Sequence, residues 1–156
     1  MQKTATLTLT LELLFWLVTA LIVGGVLYPI YRVAPDYPFL LRNVLFIVLA
    51  VTTTRYIFLL KHTWLAYLTW IKVFFIFAAI PLIFFLIDGI NDFQTYLDEN
   101  TFDSFLGHLK LERRETMTRY IRSEMIFFGT AAVIGTAAFA LRMVLSLWRN
   151  RNRGTV

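Results

Sequence analysis

The chain has no cysteine, which excludes disulfides and thiolate metal sites. Histidine occurs only at His62 and His108. The helix order derived below puts these two on opposite ends of the chain's bundle, so they cannot share a metal or a haem. With only 7 glycines and 4 prolines, the chain has no glycine-rich phosphate loop and no nucleophile elbow. Ser104, Ser123 and Ser146 have no base beside them in sequence. Arg55 and His62 fit a short Arg-x6-His spacing, but such a pattern arises readily by chance, and Arg55 stands in an apolar helix. No motif names a reaction. The expectation is a non-enzymatic protein with no cofactor and no metal.

Charge is also scarce. Asp, Glu, Lys and Arg make up 16% of the residues, against about 25% in soluble domains. Hydrophobic residues reach 58%, against about 45–50%, and the mean hydropathy is +0.66. This excess lies in long apolar runs, which read as membrane-spanning helices. The expected fold class is an all-α integral membrane protein. Four transmembrane helices over about 9–31, 39–60, 64–88 and 117–148 form one bundle. A short amphipathic surface helix over about 101–112 lies between the third and fourth, with Phe102, Phe105, Leu106 and Leu109 on one face. Glu12 interrupts the first apolar run and no small-residue cleavage site follows it. That run therefore reads as a retained helix and not as a signal peptide.

The net charge of +5 might point to nucleic acid in a soluble protein. Here bases flank membrane helices, so nucleic acid is not an expected partner. Four helices place both termini and the central turn on one side, called side A. Side A holds Lys3, Arg55, Lys61, Lys72, Arg142, Arg149, Arg151 and Arg153, with Glu12 as its only acid. Side B holds the other bases and the remaining acids. The purer positive character assigns side A to the cytoplasm, and the expected setting is a bacterial inner membrane.

The central feature is a hairpin with Lys61-His62-Thr63 as its turn. Counted from Thr63, Arg55 and Lys72 fall at matching depths of about 12–13 Å. A cation in hydrocarbon costs on the order of 2.5–3.5 kcal/mol on insertion scales unless it snorkels or is paired. Arg55, Lys72 and Arg142, with Glu12, all belong to the side-A half. They form a candidate contact site for an anion, a lipid headgroup or a partner's acid. The plainer expectation pairs Arg55 with Glu12 and lets Lys72 and Arg142 snorkel. On side B, Asp88 and Glu124 are expected at helix ends in ordinary interfacial pairing.

Ala20 and Gly24 form a small-xxx-small pair on the first helix, and Ala131 and Gly135 form another on the last. Small residues let membrane helices approach closely. Together these features suggest an accessory or scaffold subunit of a larger membrane complex. Its partners would be other integral membrane subunits, itself, or anionic lipid headgroups. The alternatives are a homo-oligomeric anion channel or small transporter lined by Arg55 and Lys72, and a lipid-active membrane enzyme using His108 and Asp103.

Overall fold

The computed structural model describes residues 2–60, 63, 65, 68–100 and 103–152. Five helices occupy them: α1 Gln2–Val33, α2 Leu40–Leu59, α3 Thr69–Glu99, α4 Asp103–Leu106 and α5 Leu111–Asn152. Four of these are long and apolar enough to cross a membrane. The 20 residues of α2 give a helix of about 30 Å, the thickness of a bilayer's hydrocarbon core.

Side-chain pairs give the directions of the helices. Asn43 meets Glu124, Phe46 lies against Gly129, Thr53 against Gly135 and Tyr56 against Phe139. Both numbers rise together, so α2 and α5 run parallel. Lys72 meets Ser146 and Ile90 lies against Gly129, so α3 runs antiparallel to α5. Arg55 meets Glu12 and Tyr120 meets Val26, so α1 runs antiparallel to both α2 and α5. The chain crosses the bundle four times in alternating directions, with α2 and α5 at its centre.

The inward face of α5 recurs at Ile121, Met125, Gly129, Ala132, Thr136, Phe139 and Met143, the spacing of one helix stripe. Its outward face is equally apolar: Phe127, Ile134, Leu141 and Trp148 are exposed. Large apolar residues on the outer face of its later turns suit lipid on that side. The main core gathers Leu27, Ile30, Phe46, Ile47, Leu86, Phe93, Ile121 and Met125 towards side B. A smaller cluster, Leu60, Leu65, Phe139 and Met143, closes the side-A end.

Several expected boundaries are corrected. The third helix starts at Thr69, not at 64, and runs to Glu99, not to 88. The fourth long helix starts at Leu111, not at 117, and ends at Asn152. Hydropathy marks where apolar sequence ends, while backbone hydrogen bonding continues through polar residues such as Asp92 and Arg114. The first helix likewise extends from Gln2 to Val33. Of the expected amphipathic segment at 101–112, the described residues hold one turn, Asp103–Leu106, then a non-helical link and the first residues of α5. Thr101 and Phe102 lie outside the described residues, as do Lys61 and His62 of the expected turn. Between α2 and α3 the described residues are Leu60, Thr63, Leu65 and Leu68, and the first three of these are buried.

Candidate functional site

Glu12 and Phe15 lie three residues apart on α1 and so share a face. That face meets Arg55 of α2. One guanidinium nitrogen stands 2.6 Å from Glu12 Oε1, and the two side chains are only 8% and 16% exposed. The guanidinium also lies 4.4 Å from the Phe15 ring centroid and 5.3 Å from that of Tyr56. Arginine suits this place, because its flat cation pairs with a carboxylate at its edge and stacks on rings at its faces.

Lys72 is fully buried, and its Nζ lies 3.1 Å from Ser146 Oγ. It does not share the depth of Arg55. Ser146 stands seven residues, or about 10 Å, beyond Phe139, the residue that faces Tyr56. Lys72 is the fourth residue of α3, which begins at Thr69, and so stands nearer side A. Arg142 is half-buried, and its enclosed Nε has no hydrogen-bond partner among the described residues. The expected quartet therefore resolves into an ion pair, a lysine bound to a hydroxyl nearer side A, and an arginine for which no bond to either is recorded.

The two small-residue pairs differ in direction. Gly135 is buried, and a Cβ there would stand 2.3 Å from Thr53 Oγ1. Ala131 packs against the main core. Ala20 and Gly24 are exposed, and a Cβ on Gly24 or Gly25 would meet nothing within 4 Å. So α5 turns Gly129 and Gly135 onto α3 and α2, while α1 turns its own small residues away from the bundle.

The expectation that Glu124 pairs at a helix end is corrected. Because α5 begins at Leu111, Glu124 lies more than three turns inside it, and it is 7% exposed. Asn43 of α2, fully buried, donates from Nδ2 to Glu124 Oε1. Asp88, expected with Glu124 at the helix ends, is exposed, and so are Arg119 and Arg122. Tyr120, one turn before Glu124, donates to the Val26 carbonyl at 2.8 Å and ties α1 to α5. Tyr37, in the link between α1 and α2, is buried with its hydroxyl unpartnered among the described residues. Burial holds its phenol well above the usual range. On the rim, Arg42 pairs with Asp92. An asparagine inside an apolar run was the one sequence signal for this cluster, since such a group seeks a partner helix.

Beside this end lies a groove of about 570 Å³ lined by Asp36, Tyr96, Phe105 and His108. Among the described residues, no group of three or more His, Asp or Glu side chains could hold a metal ion.

These features define an all-helical bundle with four long apolar helices, one enclosed ion pair and one enclosed acid–amide contact. Comparison with family models, curated proteins and solved structures finds no match to the chain.

Proposed function

We propose that the chain is an integral membrane subunit that assembles with other membrane helices through the outer face of α1. The observation that carries this reading is the direction of Ala20, Gly24 and Gly25: all three are exposed, and the two glycines have open space where a Cβ would be. Lipid gains nothing from small residues, whereas a second helix gains close backbone approach. Leu13, Leu17, Leu21 and Tyr28 surround the notch with larger apolar side chains, as a packing ridge requires. The setting is a membrane of the bacterial inner type, with both termini on the cytoplasmic side, where the positive charge of side A is purest.

The geometry lends less support to an anion path lined by Arg55 and Lys72. Arg55 is engaged by Glu12, and Lys72 is enclosed beside Ser146 about 10 Å nearer side A. A lipid-active enzyme draws its support from His108 and Asp36, which share the side-B groove.

Gly24→Leu tests the subunit reading. The new side chain meets no atom of its own bundle, so the thermal midpoint stays within about 2 °C of wild type. Membrane proteins that copurify with the wild-type chain in mild detergent, or its homo-oligomer in crosslinking, are lost. Full retention of every copurifying species by Gly24→Leu would sink the role of α1. A wild-type chain that extracts as a monomer without partners would remove the subunit reading altogether.

A further inference from the structure

We infer that Glu124 carries a proton on Oε2 and closes a two-bond acid–amide pair with Asn43, forming a buried proton-binding site near the side-B end of the bundle. Asn43 is the fourth residue of α2, so the pair lies about one turn inside that end.

Two acceptor oxygens of the pair are left over. Asn43 Nδ2 donates to Glu124 Oε1. The two remaining oxygens, Asn43 Oδ1 and Glu124 Oε2, are both enclosed, and neither has a hydrogen-bond partner among the described residues. With Glu124 ionised, both are acceptors only, so neither can satisfy the other. One proton on Oε2 converts that oxygen into a donor to Oδ1. The carboxyl and carboxamide then exchange two hydrogen bonds, and both leftover atoms are satisfied at once.

Charge leads to the same assignment. An ionised carboxylate out of water needs a cation, and without one it holds its proton instead. Among the described residues no Lys or Arg pairs with Glu124. The bases at this end are engaged or outside: Arg42 of α2 pairs with Asp92, while Arg32 of α1 and Arg119 and Arg122 of α5 are exposed. From α3 this end carries Asp88 and Asp92, both exposed acids. Phenols also lie at this end, Tyr96 of α3 among them. Tyr120 is committed as a donor to Val26, and Tyr37, from the link between α1 and α2, is buried and neutral. None of them supplies positive charge.

The site has a defined pH signature. Where the folded chain keeps this proton and the unfolded chain has lost it, stability falls as pH rises.

Infrared difference spectroscopy of the full chain in lipid nanodiscs at pH 7, wild type against Glu124→Gln, tests the assignment. The expected result is a carboxylic-acid carbonyl band in wild type that shifts in deuterium oxide and is missing from Glu124→Gln. A carboxylate band in its place overturns the proposal and assigns the site to an ionised group with a bound cation. Thermal midpoints give an independent readout. Gln can make the same two bonds to Asn43, so Glu124→Gln stays within about 3 °C of wild type and loses the pH slope. Glu124→Ala loses about 5 °C or more. If Glu124→Gln drops as far as Glu124→Ala, or keeps the wild-type pH slope, the proposal fails. Neither readout involves α1, so this inference and the subunit reading stand or fall separately.

Discussion

Glu12→Gln lowers the thermal midpoint by about 6–12 °C, and Arg55→Met lowers it by less. Removing one member of a buried ion pair costs about 3–5 kcal/mol, because the other charge is left enclosed without a partner, and each kcal/mol is worth about 2–4 °C at this chain length. Arg55 and Glu12 meet the condition, with side chains 8% and 16% exposed. The two single variants differ because the orphans differ. After Glu12→Gln, Arg55 keeps its charge at any accessible pH. It retains the Phe15 and Tyr56 rings, and it stands four residues, about 6 Å, from the end of α2, so snorkelling holds the loss to the lower part of that range. After Arg55→Met, Glu12 escapes by taking up a proton, as an unpaired carboxyl out of water does, so less of the cost remains. The double variant Glu12→Leu with Arg55→Leu returns close to wild type, since apolar pairs replace buried ion pairs at little or no cost. The check is a set of four melting curves in nanodiscs. A double variant as weak as Glu12→Gln would show that the pair stabilises the chain beyond mutual neutralisation.

The Glu12–Arg55 meeting was legible in the sequence because it needs only depth. Glu12 in the first apolar run and Arg55 near the far end of the second are brought level by antiparallel helices. The four long helices were legible for the same reason, since length and apolar content suffice. What depth does not contain is rotation. Ala20/Gly24 and Ala131/Gly135 look alike as spacings, yet one pair faces out and the other packs on α2 or the core. Nor does hydropathy separate an apolar helix from an apolar connection. Trp64, Leu65, Ala66 and Tyr67 read as the start of a helix, while α3 begins only at Thr69. That difference displaced Lys72 from the level of Arg55. The opposite error hid Glu124. Starting the last helix at 117 put Glu124 near an end, and the extra turns from Leu111 enclose it against Asn43.

Gly135→Ala destabilises the chain, reversing the usual sign of a glycine-to-alanine change in a helix. That change normally gains roughly 0.5–1 kcal/mol, because alanine loses less backbone freedom on folding. At Gly135 the added Cβ would stand 2.3 Å from Thr53 Oγ1 and 3.3 Å from Thr53 Cβ. Thr53 cannot simply turn aside. Its hydroxyl is folded back onto the Leu49 carbonyl at 2.7 Å, and a β-branched side chain that rotates in a helix presents its methyl in place of the hydroxyl. Overpacking of this kind costs about 1–3 kcal/mol, so a midpoint lower by about 3–10 °C is expected. The cause is separable from any general intolerance of α5. Thr53→Ala removes the offending oxygen and leaves the 3.3 Å contact, which a small shift relieves. Its own cost is small, because the helix carbonyls that Thr53 meets already take part in backbone bonding. In the cycle of wild type, the two single variants and the double variant, the pair should couple favourably by about 1–2 kcal/mol. The double variant then melts above Gly135→Ala alone. Additive losses would mean that α2 and α5 do not meet at Thr53 and Gly135. The parallel register drawn from Asn43–Glu124 and Tyr56–Phe139 would then have to be redrawn between them.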